Sequence, residues 1–201
     1  MKQAFEITDQ DIIRDMLTKV EYGTLALCDE GIPYSVPLNF VPMDGDIYFH
    51  SAKKGRKMDI LKKNKRASFS VVQTYSLIPS YFSSRDGLAC PATQFFKSII
   101  MDGDISFIDQ IDEKSLALKH LMEKLQPEGH YKPLSDEEYL KTLNSLNVYK
   151  LTPHETRAKF KFGQHVNADR FDMIIAHLEE RGSDVDRATI QMMKQFRNQK
   201  G

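Results

Sequence analysis

Tryptophan is absent from this sequence of 201 residues, and only two cysteines occur, Cys28 and Cys90. Their spacing matches neither a metal site nor a disulfide framework. No apolar run approaches the ~20 residues that a membrane-spanning helix needs, and the N-terminus lacks the basic-then-apolar pattern of a leader. These absences predict a protein of the reducing cytoplasm.

An excess of either charge is also absent. The chain has 28 lysines and arginines against 28 aspartates and glutamates, so its formal net charge is zero. Such a balance does not favour the broad attraction that draws basic proteins to nucleic acids or acidic membranes. At this length we expect one domain, or one domain with an extension, around a substantial core.

Residues 31–57 carry the strongest local pattern in the chain. In an extended strand Ile32, Tyr34, Val36, Leu38 and Phe40 would share one side. Asp44-Gly45 is a strong signal for a two-residue turn into a second strand at 47–50, so the segment predicts a single hairpin. Pro37 cannot donate to a ladder and therefore belongs on an edge, at a bulge, or beneath a ligand.

A polar and basic stretch follows this hairpin. Ser51 can cap a helix, Gly55 frees the backbone, and Arg56 and Lys57 place positive charge beside the amides of a helix start. This pattern predicts a phosphate site next to an apolar surface that suits a planar ring. The alternative is that these cations and the neighbouring lysines form a solvated basic face.

Several motifs together resemble those of the pyridoxamine 5′-phosphate oxidase-like split-barrel flavoproteins, with the nitroimidazole-resistance-type proteins as the closest branch. The motifs are YGTLAL at 22–27, PYSVPLNF at 33–40, IYFHSA at 47–52 and GRK at 55–57. TQFFKSII at 93–100, with Gly103, is similar to a later strand of the family. The resemblance covers roughly residues 10–110.

The resemblance implies a mainly β, α+β fold. We expect a six-stranded antiparallel split β-barrel with peripheral helices over residues 1–162, followed by a C-terminal helical extension over 163–201. It also implies a homodimer that binds FMN at the subunit interface. The extension is expected to pack on the barrel or on the partner subunit.

The resemblance further implies which residues hold the cofactor. Backbone groups of Val36, Pro37, Leu38, Asn39 and Phe40 would face the isoalloxazine edge, and the Asn39 side chain could bond a ring heteroatom. The ribityl phosphate would be held by the basic corner, which we define as His50, Ser51, Ala52, Arg56 and Lys57. Gln94 and Ser98 would reach the flavin from the second subunit.

The six histidines are scattered and show no helical metal-site spacing, so no metal is expected. His50 is the best placed for function, beside the expected phosphate, although a structural histidine beneath the turn is equally compatible with the pattern. Cys90 lies in a loop beside a proline, where a small buried thiol is a simpler reading than a reactive one. No catalytic acid or base can be named from the sequence.

The function implied is that of an FMN-dependent oxidoreductase, which takes electrons from NAD(P)H or another donor and passes them to a small acceptor such as a nitroaromatic. Three alternatives stay open: a flavin-binding transcriptional regulator, a haem-binding or haem-degrading split-barrel protein with a histidine as axial ligand, and a pyridoxamine phosphate oxidase proper. The last is disfavoured because the chain ends in RNQKG, without an arginine-rich motif. The first gains support from KFKFGQH at 159–165, which partly resembles the FMN-binding negative regulators, but the mixed charges beyond it argue against DNA binding.

Other elements follow from periodicity and caps. Helices are predicted over 8–19, 57–63, from 112, from 135, over 167–181 and over 184–198, the last capped by Ser183. Further strands are predicted over 22–28, 67–74, 95–108, 147–152 and 155–162, with an interruption at 102–104 that is either a hairpin turn or a bend. Residues 75–91 have no clean period and form either a lid loop or an unrecognised strand pairing.

Overall fold

A computed structural model describes residues 2–198 of the chain. Among these residues it contains six α-helices: α1 (Gln10–Lys19), α2 (Arg56–Lys63), α3 (Ile111–Leu125), α4 (Leu140–Ser145), α5 (Ala168–Arg181) and α6 (Asp184–Asn198). The strands are β1 (Glu6–Ile7), β2 (Tyr22–Asp29), β3 (Ile32–Asn39), β4 (Val41–Met43), β5 (Asp46–Ala52), β6 (Arg66–Ile78), β7 (Thr93–Ile108) and β8 (Leu146–Lys161). The final residues of the predicted extension, 199–201, lie outside the described residues.

The strands form one open sheet in the order β3-β2-β6-β7-β8-β5-β4, with β1 paired to β8. The pairings β2–β3, β2–β6, β4–β5 and β5–β8 are antiparallel. The predicted α+β fold class is therefore confirmed. The sheet has eight strands instead of the six expected, and two of them are very short, with 2 residues in β1 and 3 in β4.

The predicted first helix is confirmed, and its start is set by a side-chain cap. The Asp9 carboxylate accepts hydrogen bonds from the backbone N–H groups of Asp11 and Ile12, at 2.9 and 3.3 Å. Ile13, Met16 and Leu17 are buried along one face. Helical spacing of apolar residues therefore predicted both the helix and its buried side.

The prediction of a single hairpin across residues 31–57 is wrong. β3 pairs along its whole length with β2, through a turn at Glu30-Gly31, and lies at the opposite end of the strand order from β4 and β5. Asp44 and Gly45 do form a tight turn with positive φ, but this turn joins β5 to the short β4. Phe40, which is fully buried, lies between the end of β3 and the start of β4.

The predicted interruption of β7 at 102–104 is also wrong, as is the division of β8 into two strands. Each is continuous over 16 residues. Gly103 permits this, because an added Cβ would lie 2.1 Å from the carbonyl oxygen of Thr152 on β8. Gly103 therefore marks a close approach of the β7 and β8 backbones. The sequence analysis considered only a hairpin turn or a bend at this position.

Residues 75–91 are partly strand and partly loop, and a role of the loop as a lid stays a prediction. β6 continues to Ile78, so its first residues are strand, and a single 3-10 turn follows at Ser80–Phe82. Residues 83–92 have no helix or strand. Cys90 is exposed, which corrects the expectation of a buried thiol.

The chain forms two compact units. Unit I comprises residues 9–71 and 99–157, and unit II comprises the described residues within 1–8, 72–98 and 158–201. In unit I the rings of Phe49 and Tyr149 stack at 5.1 Å. In unit II the ring of Phe196 on α6 stacks on that of Phe162 at 5.7 Å, so the C-terminal helices bury their apolar faces within this unit. The division at residue 162 stays a prediction.

Candidate functional site

The basic corner lies where β5 ends and α2 begins, in unit I. Gly55 occupies the N-cap position with φ +119° and supplies no capping side chain, so the first amides of α2 have neither a capping nor an intrahelical acceptor. Ile60 and Leu61 are buried and fix this helix against the unit. The predicted cap by Ser51 is wrong, because Ser51 belongs to β5.

Arg56 brings the helix start to the edge strand β3. Its guanidinium carbon lies 4.8 Å from the centre of the Tyr34 ring, which is a cation–π contact. Arg56 is exposed, and within residues 2–198 no carboxylate lies at ion-pair distance from it. The strand and the cations that the sequence placed in one hairpin are thus adjacent, although β3 and β5 are not paired.

Lys57 is half-buried against aromatic rings. Its ammonium nitrogen lies 5.6 Å from the Phe49 ring centre and 5.7 Å from that of Tyr149, and burial lowers the pKa of Lys57. His50 is exposed at the end of β5, but the surrounding protein partly desolvates its imidazole; this desolvation, and then the charge of the Lys57 ammonium, lower the pKa of His50 from its usual value. A bound anion would relieve both effects.

The Ser51 hydroxyl is part of a small polar cluster. It lies 3.0 Å from the Tyr149 hydroxyl and donates to the carbonyl oxygen of Ala52, also at 3.0 Å. The Tyr149 hydroxyl donates further to the Met58 sulfur at 3.4 Å, and the Asn147 amide donates to the same sulfur at 3.3 Å. Ser51 would have to turn its proton away from Ala52 to donate to a phosphate.

The β3 residues have the exposure of an edge strand. Val36 and Leu38 are half-buried on one side, while Pro37 and Asn39 are exposed on the other. The Asn39 amide nitrogen donates to the Glu21 carbonyl oxygen at 3.1 Å, which leaves its side-chain oxygen as the atom able to accept a bond from a ligand.

Phe40 differs from the other predicted β3 contacts. Its side chain is fully buried, and its carbonyl oxygen accepts a 2.9 Å hydrogen bond from the Lys124 ammonium, which lies 3.6 Å from the Phe40 ring centre. The same ammonium bonds the Leu17 carbonyl oxygen at 2.9 Å. Phe40 therefore fixes the end of β3 from within.

Gln94 and Ser98 belong to β7 in unit II, and their predicted contact with a flavin of the second subunit stays a prediction. The Gln94 amide donates to the backbone carbonyls of Tyr75 and Phe95. Ser98 is half-buried on the same strand. Ala52 is exposed at the corner in unit I.

Sequence reasoning missed Tyr149, which anchors the floor of the corner. Tyr149 faces Phe49 across the β5–β8 pairing and is fully buried. A residue about a hundred positions away gives no local signal of this pairing. The alternation of apolar residues placed Tyr34 in a strand. That alternation does not show which helix packs against the strand, so the contact of Tyr34 with Arg56 could not be predicted from it.

The chain matches one protein-family model and the folds of several solved structures. A family model described as pyridoxamine 5′-phosphate oxidase matches residues 9–160. No curated protein sequence matches the chain significantly.

Among the residues the structure describes, no helix is long and apolar enough to cross a membrane, and no group of three His, Cys, Asp or Glu could hold a metal ion.

Solved structures of similar fold include three bacterial proteins. The flavocytochrome Anf3 of Azotobacter vinelandii is 18% identical, with a TM-score of 0.69, covering 86% of this chain and 78% of that one. An FAD and haem binding protein of Mycobacterium smegmatis is 19% identical, with a TM-score of 0.66, covering 85% and 79%. A protein assigned to 5-nitroimidazole antibiotic resistance in Bacteroides thetaiotaomicron is 21% identical, with a TM-score of 0.63, covering 77% and 85%. At these identities the likeness is one of fold.

Proposed function

Because a match over most of its length makes this chain a member of the pyridoxamine 5′-phosphate oxidase family, we propose that it is a flavoprotein that holds FMN with its phosphate at the basic corner. We propose further that it acts as a homodimer in the cytoplasm. The observation that carries the proposal is the uncapped start of α2, which lies against an edge strand and is flanked by two cations that have no acidic partner within residues 2–198.

The corner suits a phosphate chemically. Arg56 can make paired, charge-assisted bonds to phosphate oxygens, and Lys57 supplies a compact charge beside them. The free N–H groups at the start of α2 favour the same anion. His50 becomes a hydrogen-bond donor at both ring nitrogens when protonated, and a phosphate would favour that form.

The adjoining strand suits the ring of the cofactor. β3 presents half-buried Val36 and Leu38 on one face and exposed Pro37 on the other, and its outer edge has no strand partner among the described residues. The Asn39 side-chain oxygen can accept a hydrogen bond from a ring N–H. A planar ligand placed here would be oriented by backbone groups and by Asn39.

The reaction we propose is reduction of a small acceptor such as a nitroaromatic, with NAD(P)H or another donor as the source of electrons. Bound FMN would supply the electron transfer, while this chain binds and orients it. The fold likeness to a protein assigned to nitroimidazole resistance supports this acceptor class. Regulation of transcription is less well supported, because α5 and α6 pair cations with acids, as in Arg187–Asp184 and Lys194–Glu179, and present no basic stripe.

The visible spectrum of the purified protein tests the cofactor class. We expect a flavin doublet, either as purified or after addition of FMN and removal of the excess, and FMN as the molecule released on denaturation. A Soret band with no flavin would assign the protein to haem binding. A colourless protein that retains no added FMN would remove the proposal.

A further inference from the structure

Unit II contains a small cavity that the flavin proposal does not use. It has a volume of about 190 Å³ and lies between the end of β8, the start of α5 and the segment 90–93. Its polar lining consists of Ser83, Cys90, Thr93, Lys161, His165 and Arg170. Gly163, with φ +75°, turns the chain between Lys161 and Arg170, so that both face the same space.

The lining is cationic and contains no acid. Among residues 2–198, neither Lys161 nor Arg170 has a carboxylate within ion-pair distance. The Lys161 ammonium donates to the Thr93 hydroxyl, and the Arg170 guanidinium donates to the hydroxyl of the buried Ser83 at 3.3 Å. Neutral hydroxyls orient both cations without neutralising them.

Lys161 is held at an electrostatic cost in this position. Burial, and then the neighbouring charges of Lys159 and Lys2, lower the pKa of Lys161. A desolvated cation among other cations is stabilised by an anion of matching size. Arg170 lies in the first turn of α5, where its backbone N–H donates to the capping side chain of Asn167 at 3.0 Å, and this cap fixes the position of Arg170 at the cavity.

We propose that this cavity binds a small oxyanion of the size of phosphate or sulfate. The volume is below the roughly 300 Å³ of typical pockets for drug-sized ligands and well above the ~30 Å³ that a water molecule takes up. A phosphate group fits such a space and a tricyclic ring does not. The proposal does not depend on flavin binding, because its residues belong to unit II and the basic corner belongs to unit I.

Cys90 provides a reporter within the lining. It is an exposed free thiol, and the only other cysteine in the chain, Cys28, is exposed on β2 in unit I. We would alkylate the full-length folded protein with anionic iodoacetate or with neutral iodoacetamide. Digestion and mass spectrometry would then give the rate of modification at each thiol. At each cysteine the rate with iodoacetate is divided by the rate with iodoacetamide. The value at Cys90 divided by the value at Cys28 is a double ratio that reports the attraction of anions to the cavity.

We expect that double ratio to exceed one by several-fold, and to fall towards one when inorganic phosphate is added at constant ionic strength made up with chloride. Lys161→Met and Arg170→Gln should each remove the excess. Lys194→Met, which removes a charge from α6 outside the cavity, should keep it. Urea unfolding of each variant, compared with the wild type, serves as the check that the variant retains its fold.

Two results would overturn the proposal. One is a double ratio near one that phosphate does not change, since the cavity would then attract no anion. The other is protection of Cys90 by FMN but not by inorganic phosphate, since the cavity would then hold part of the flavin. The first of these results, obtained with a protein that binds FMN, would overturn this inference alone and leave the proposed function intact.

Discussion

The guanidinium of Arg56 lies 4.8 Å from the ring centre of Tyr34, and this contact joins the start of α2 to the edge strand β3. The two residues are 22 positions apart in the sequence, Tyr34 in the strand β3 and Arg56 at the start of the helix α2. The contact brings the cationic part of the proposed site to its apolar part, and it makes Tyr34 a testable member of that site.

Replacing Tyr34 by leucine should weaken FMN binding by about 0.5–1 kcal/mol, the usual worth of an exposed cation–π contact, because Arg56 would lose its support. The measurement is quenching of flavin fluorescence during titration with the variant. Tyr81→Leu is the matched control, since Tyr81 is a highly exposed tyrosine whose ring contacts are with Phe82 and His177. Equal losses in both variants would contradict a specific role of Tyr34.

His50 should make the stability of the apo-protein depend on pH. Its folded-state pKa lies below 6.5, so the unfolded chain takes up this proton first as the pH falls. Its contribution to stability is therefore complete above pH 6.5 and is lost as the pH falls through the folded-state pKa. Urea unfolding of the wild type and His50→Gln at neutral and mildly acidic pH checks this, and the variant should lose less stability on acidification.

FMN should reduce that acid sensitivity, because its phosphate favours the protonated imidazole. The same unfolding series repeated with saturating FMN tests this. If FMN protects His50→Gln from acid as well as it protects the wild type, the imidazole does not face the phosphate.

Asp186 anchors the C-terminal helices within unit II. Its carboxylate is fully buried, accepts hydrogen bonds from Ser76, Ser183 and Arg181, and has its pKa well below the usual range, chiefly because of Arg181. Asp186→Asn should lower the free energy of unfolding by about 3 kcal/mol, the low end for a broken buried pair, because Arg181 is partly exposed and can rehydrate. Asp184→Asn, which alters an exposed pair with Arg187, should change it by less than about 1 kcal/mol. Similar values for the two variants would contradict the anchoring role.

Lys124 should stabilise the end of β3. Its ammonium bonds the carbonyl oxygens of Leu17 and Phe40, and Lys124→Met would leave both without this donor. We expect a loss of at least about 1.5 kcal/mol in the free energy of unfolding, the lower value for one charged hydrogen bond. Lys119→Met on the same helix, where the lysine is exposed, is the control. A loss of stability no larger than that of Lys119→Met would contradict this role. It would show that water replaces Lys124 as the donor to the Leu17 and Phe40 carbonyl oxygens at no cost.

Local chemistry predicted much of this structure. The Asp44-Gly45 turn and the hydrogen bond from the Asp186 N–H to the Ser183 hydroxyl both depend on residues within three positions of each other. These features were visible in the sequence because neighbouring side chains and backbone dihedrals determine them.

Tertiary pairing was not predictable in the same way. A turn at Asp44-Gly45 specifies a hairpin but not which strand lies beyond it, so β3 was assigned to the wrong partner. Gly103 looked like a turn residue, yet it is needed because the Thr152 carbonyl leaves no room for a Cβ. Tyr149 enters the site through the β5–β8 register, which no local pattern reports.

The central claim is that the basic corner holds the phosphate of FMN, and its most direct test compares FMN with riboflavin, which lacks the phosphate. Dissociation constants for both ligands should be measured with the wild type, with Arg56→Ala/Lys57→Ala, and with the control Lys62→Ala at the far end of α2. We predict that the double variant loses at least about 1.5 kcal/mol of FMN affinity, more than tenfold, with little change for riboflavin, while the control binds both like the wild type. A preference for FMN over riboflavin that survives unchanged in the double variant would contradict the account.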